Sequence, residues 1–241
     1  MNDRTTSHDR VLARRHAEGW MFLLEAARDQ RTTGAIAPSG PALARALTDP
    51  VRVLGPRPLA ILEAGAGTGA VTRALIPQLS SGSRLDIVDA NPRFTARLRH
   101  LVATHPHLAG RPRQVRVHQT FIEQLDTAQR YDVIVSGLPL TNFAPHQVET
   151  IMSRYMELLH PGGTLTYFAY RGTLKARALL ASRAEARRHA AVGEVMGSYQ
   201  RRYATGCWTV WANLPPAHVW HLRRPLASHR EQEHPPTGAR R

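Results

Sequence analysis

Cysteine, lysine and carboxylates are all scarce in this chain of 241 residues, and long apolar runs are missing. A lone Cys207 leaves no partner for an intramolecular disulfide and excludes a multi-cysteine metal site, so a reducing compartment is the simplest setting and the cytoplasm is expected. No charge-free apolar stretch approaches the roughly 18 residues of a membrane span, and Met1–Gln30 lacks the uninterrupted apolar core of a signal peptide. The expectation is a protein that neither spans a membrane nor is exported. Lys175 stands alone among 32 basic residues, the rest being arginine, and 18 Asp and Glu oppose them, for a net charge of +14. Such a surface is drawn to polyanions: RNA, DNA or a membrane rich in anionic lipid. An arginine-rich, alanine-rich composition on a solvated surface gives the same figure, so charge alone assigns no partner.

What is present is a chain with 42% hydrophobic residues, long enough for one well-buried domain. Five segments read as strands: "PLAILEAG" near residue 60, "RLDIVDA" from Arg84, "VRVHQT" from Val115, "DVIVSG" from Asp132 and "GTLTYFAY" from Gly163. Helix-like segments "GAVTRALIPQL", "PRFTARLRHLVATH" and "PHQVETIMSRYMELL" alternate with them, the rhythm of an α/β, doubly wound parallel sheet. After a basic helical stretch "TLKARALLASRAEARRHAAV", the runs "CWTVWANL" and "AHVWHLRR" are joined only by Pro215 and Pro216. That link is too short for a parallel crossover, so an antiparallel terminal pair is expected. Leu12, His16, Trp20, Leu23, Leu24 and Ala27 share one helical face with Arg10, Arg14 and Arg28 off it, which suits a membrane surface or packing on the domain. The expected divisions are residues 1–50 for this helix and a covering segment, 51–225 for the main domain and 226–241 for a polar, disordered tail.

The fourth strand ends in "SGLPL", where a parallel sheet opens to ligands, yet Ser136, Gly137, Leu138, Pro139 and Leu140 include no carboxylate, histidine, cysteine or lysine to act as nucleophile or base. The first strand runs into "LEAGAGTGAVT", whose Gly65, Gly67 and Gly69 allow a tight turn and bring backbone N–H groups close to a ligand. Asp89 ends the second strand about 20 residues later, where a carboxylate can accept from both hydroxyls of a ribose. Glu63 would sit beside the same ligand, a poor neighbour for a pyrophosphate and a good one for a sulfonium or ammonium. Those charges point to S-adenosyl-L-methionine, and the missing nucleophile then makes sense. Methyl transfer from sulfonium is an in-line displacement with an activated leaving group, so alignment suffices and carbonyls of the turn can orient an amine.

The pattern E-x-G-x-G-x-G resembles the first motif of class I methyltransferases. "TTGAIAPSGPALARAL", "EAGAGTGAVT", "SGLPLTNF" and "NLPPAHVW" together resemble the bacterial phospholipid N-methyltransferases, which carry phosphatidylethanolamine towards phosphatidylcholine; these stretches sample most of residues 30 to 222. The resemblance implies a class I methyltransferase sheet with S-adenosyl-L-methionine held by Glu63, Gly65 and Gly67 at its methionine end, by Asp89 and Ala90 at its ribose and by the backbone of Ser136 at its amino group. Thr33, Ile36 and Ser39 would belong to a segment covering the cofactor. It further implies a phospholipid substrate, a peripheral place on an anionic membrane's cytoplasmic face, and no nucleic-acid partner. The family's acid after the third strand is replaced here by Phe121 and Ile122, so adenine is expected to rest on packing and backbone. A soluble amine is the alternative substrate, with rRNA adenine behind it. Ser136, Gly137 and Leu138 would orient the amine, while Tyr199 and Tyr203, expected in a loop over the methyl end, would hold an ammonium headgroup by cation–π contact.

Overall fold

The computed structural model describes residues 40–111, 113–170, 183–213 and 215–226. The amphipathic stretch before residue 30, the covering residues Thr33, Ile36 and Ser39, the start of the basic stretch and the tail beyond Leu226 lie outside them.

Seven strands form one sheet in the order β3-β2-β1-β4-β5-β7-β6. They are β1 (Ala60–Ala64), β2 (Arg84–Asp89), β3 (Val115–Gln119), β4 (Tyr131–Ser136), β5 (Leu159–Tyr170), β6 (Ala204–Val210) and β7 (Ala217–Arg223). The first five are mutually parallel, and β7 runs antiparallel to both β5 and β6. This is the Rossmann-like sheet of class I methyltransferases with its antiparallel terminal pair. The interior strands are apolar on both faces because both are covered. In β1 and β4, Ile61, Val133 and Val135 point into one core layer and Leu62 and Ile134 into the other.

Helices α1 (Pro41–Leu54), α2 (Ala70–Leu75) and α3 (Pro92–Thr104) cover the first layer, through Leu43, Leu47 and Val51, Leu75, and Leu98. Helices α4 (Pro145–Leu158) and α5 (Arg183–Tyr203) cover the second, through Val148, Met152 and Tyr155, and Val192 and Met196. Helix α1 runs through residue 50, with Pro50 inside it. Its entry is held by a hydrogen bond from Gly40 N–H to Asn213 Oδ1 at 3.1 Å.

Two local expectations are corrected. The run "GSYQRRY", expected to be a loop, is the end of α5, because Val192, Met196, Tyr199 and Tyr203 recur at helical spacing against the second core layer. That burial outweighs the roughly 1 kcal/mol each that Gly193 and Gly197 cost in a helix. Strand β6 begins at Ala204 and stops at Val210, so Trp211 and Ala212 belong to the turn before β7 rather than to the strand. Among the described residues no helix is long and apolar enough to cross a membrane, and no group of His, Cys, Asp and Glu could hold a metal.

Candidate active site

The site lies at the carboxyl ends of β1, β2 and β4. Gly65 N–H donates to Val88 O on β2 and Gly137 N–H to Ala64 O at the end of β1, each at 2.8 Å, so the glycine loop and the "SGLP" turn are tied to the strand ends. The two meet backbone to backbone: a Cβ on Gly137 would lie 2.5 Å from Gly65 O, and a Cβ on Gly65 would lie 2.4 Å from Leu138 Cδ2. Gly67 has φ +54, and a Cβ there would meet nothing within 4 Å. Its N–H points to Asp89 Oδ2 at 2.8 Å. The other carboxylate oxygen of Asp89 accepts from Asn91 N–H at 2.8 Å, and Asn91 Oδ1 accepts from Arg93 N–H to cap α3. Burial raises the Asp89 pKa, and these two backbone donors partly offset it.

Glu63 is fully buried beneath the loop. Thr72 Oγ1, on the first turn of α2, donates to Glu63 Oε2 at 2.7 Å, while Oε1 has no partner among the described residues. Burial pushes its pKa up to about 7; the Thr72 hydroxyl pulls it down and the nearby Asp89 charge adds to the rise. An unpartnered buried carboxylate oxygen is costly on its own and is relieved by a cation or donor.

Gly65, Asp89, Ala90, Phe121, Ile122 and Leu138 line one narrow cleft, so residues from four separate stretches of sequence converge there. Glu123 lines it too and was missed by sequence reasoning. It sits on a turn of 3-10 helix, Ile122–Gln124, and burial raises its pKa. The signal available was its place two residues after Phe121, within one turn of the position where an acid is usual in the resembled family.

Ser136 is fully buried below the cleft, its hydroxyl 2.9 Å from the Tyr155 hydroxyl. The tyrosines expected over the methyl end stand instead on the last turns of α5, outside the residues lining the cleft. Tyr199 donates to Glu149 Oε1 at 3.0 Å, and the Tyr203 ring has the Arg202 guanidinium 5.2 Å from its centre.

Residues 61–163 match the profile of a family described as "Methyltransferase domain". Over 108 residues, 44% of this chain, the sequence is 33% identical to the polyketide synthase-nonribosomal peptide synthetase ffsA of Aspergillus flavipes, of which that match spans 2%. Over 145 residues, 60% of this chain and 74% of the relative, it is 26% identical to an ornithine lipid N-methyltransferase of Singulisphaera acidiphila. The fold is shared with the N-methyltransferase NodS of Bradyrhizobium japonicum WM9, with TM-score 0.56 and 21% identity over 78% of this chain and 99% of that one. The matched domain and the sheet give this chain the fold of the class I S-adenosylmethionine-dependent methyltransferases, with the cleft at the carboxyl ends of its strands. The residues present fit S-adenosyl-L-methionine: an orphaned carboxylate oxygen on Glu63, open space at Gly67, and a carboxylate on Asp89 whose two oxygens each accept from one backbone N–H.

Proposed function

We propose that this enzyme methylates the primary amine of phosphatidylethanolamine, and then its mono- and dimethyl derivatives, at the cytoplasmic face of a membrane. The observation that carries the reading is the β4 turn, Ser136 to Pro139, which abuts the glycine loop and offers backbone groups with no acid, base or thiol side chain. A substrate methylated there brings its own lone pair, as an amine does. The likeness of "GAIAPS" and "SGLPLTNF" to phospholipid N-methyltransferases supports a lipid amine, and so does the relative named for N-methylation of ornithine lipid.

Bound in the cleft, S-adenosyl-L-methionine supplies an activated methyl group on a cationic sulfur. Asp89 takes the ribose hydroxyls, Glu63 supplies the opposite charge beneath the loop, and Glu123 accepts from the adenine amino group. Carbonyl oxygens of the Ser136–Pro139 turn accept N–H bonds from the amine, orient its lone pair and favour loss of its proton.

Incubation with isotopically labelled S-adenosyl-L-methionine and vesicles containing phosphatidylethanolamine, followed by mass spectrometry of the lipids, reads substrate and product together. Label on phosphatidylethanolamine as mono-, di- or trimethylated species is expected. Label confined to soluble amines such as ethanolamine, with the lipids untouched, overturns the lipid reading in favour of a small-molecule amine.

A further inference from the structure

A second and much larger hollow lies outside the helix layer, on the face of α2 turned away from the sheet. Helix α2 is short, and α1 and α3 rise on either side of it to enclose a trough of about 1180 Å³. Ala70 and Ala74 of α2 lie along its floor, while Arg45 from α1, Arg73 from α2, and Arg97 and His100 from α3 stand round it. Among the described residues, no acidic side chain lines it.

Elsewhere on the described surface four arginines form ion pairs: Arg52 with Asp49, Arg57 with Asp132, Arg154 with Glu157 and Arg201 with Glu194. Among the described residues, no ion pair engages Arg45, Arg73 or Arg97. Arg73 is instead steadied by a hydrogen bond from Nη1 to Thr68 O at 2.9 Å, on the glycine loop. Three guanidinium groups around one hollow repel one another until an anion joins them, and the planar fork of arginine matches phosphate oxygens.

We propose that this trough binds an anionic phospholipid, with Arg45, Arg97 and His100 on its phosphate and the first carbons of an acyl chain along the alanine floor. Charge complementarity selects an anion, and the apolar floor selects one that carries a tail. A single-stranded nucleic acid would satisfy the charges and leave that floor unused, and among the described residues no Phe, Tyr or Trp lines the trough for bases to stack on. The trough is separate from the methyl-transfer cleft and does not depend on which amine is methylated. Its link to the cleft is Thr68, so a phosphate that draws Arg73 away loosens one tie on the glycine loop.

Titration calorimetry on the full chain uses four probes: dihexanoyl phosphatidylglycerol below its micellar concentration, dihexanoyl phosphatidylcholine, inorganic phosphate and a single-stranded RNA oligomer. Binding of the phosphatidylglycerol in clear preference to the other three is expected. Arg97→Glu and Ala96→Glu, both at exposed positions, should each weaken it by roughly tenfold or more, the worth of one charge-assisted contact. Circular dichroism and unchanged S-adenosyl-L-methionine affinity would report an intact fold, and Ala96→Glu serves if Arg97→Glu does not fold. Equal binding of the two lipids, phosphate binding as tightly as the lipid, RNA displacing the lipid, no binding, or indifference of the lipid to Ala96→Glu would each overturn the proposal.

Discussion

At the scale of single residues, the site concentrates carboxylates whose pKa values are raised: Glu63, Asp89 and Glu123, in each case by burial first. For Glu63 the sign follows from the folded value of about 7 against an ordinary 4.5. The folded state holds the proton more tightly, so its contribution to stability is complete below pH 4.5 and is lost as pH rises through about 7. Glu63→Gln removes this dependence and keeps an acceptor for Thr72. At pH 8 the variant without cofactor should be more stable than the parent, by up to roughly 3 kcal/mol, and should bind S-adenosyl-L-methionine more weakly. Thermal scans at pH 5 and pH 8 check it; an equal difference at both values would show that Glu63 does not titrate in this range.

Glu123 offers a separate residue-level test, because its acceptor role concerns one amino group. S-adenosylhomocysteine carries that group, whereas its inosine analogue has a carbonyl oxygen in its place. The parent should prefer S-adenosylhomocysteine, and Glu123→Ala should lose most of that preference in calorimetry, by about the 1.5 to 3 kcal/mol of a hydrogen bond to a charged group. A preference undiminished by the substitution would take Glu123 off the adenine.

At the scale of elements, the β4 turn and α5 make contrasting predictions. Gly137 does not have a positive φ, so alanine is acceptable to the backbone and only the 2.5 Å approach to Gly65 O opposes it. The backbone pair must part, and Gly137→Ala should cost about 1 to 3 kcal/mol of stability together with cofactor affinity. Normal affinity by titration would show that the loop can shift without loss. In α5, Tyr199 and Tyr203 pack partly against the second core layer. Replacing either with Ala should lower the melting temperature more than replacing it with Phe, which keeps the ring. Initial rates measured well below the transition should be unchanged, and a fall in rate confined to the Ala variants would return these tyrosines to the substrate.

At the scale of the whole molecule, acid acts on the sheet through Asp86. Its carboxylate on β2 accepts from Tyr131 Oη of β4 at 3.1 Å and lies 2.7 Å from His118 Nε2 of β3, which joins three strands. Burial pushes its pKa up, but the His118 and Tyr131 hydrogen bonds and the charges of His118 and Arg116 more than offset that, and the net shift is downward. A lowered carboxylate stabilises the fold above its ordinary value of 3.8 and loses that contribution as pH falls through the folded value. The gap in melting temperature between the parent and Asp86→Asn should therefore be widest above pH 3.8 and close below it. A gap independent of pH would assign Asp86 a packing role alone.

Much of the architecture is legible along the chain because neighbouring residues decide it. Apolar runs of strand length in "AILEA" and "YDVIVS" alternate with helical spacing, and the two-proline link correctly implied an antiparallel pair. The glycines beside Glu63 and the acid ending β2 announced a nucleotide site by type and spacing. Other features arise from approaches between distant segments, which leave no local pattern. The helical end of α5 depended on whether a core lay beneath Tyr199 and Tyr203. Glu123 became a cleft residue when a 3-10 turn carried it beside Gly65 and Leu138, and Gly137 acquired its steric duty from Gly65, far away in sequence. The basic trough exists because short α2 lies between two longer helices, an arrangement of volumes and charges that no single segment encodes.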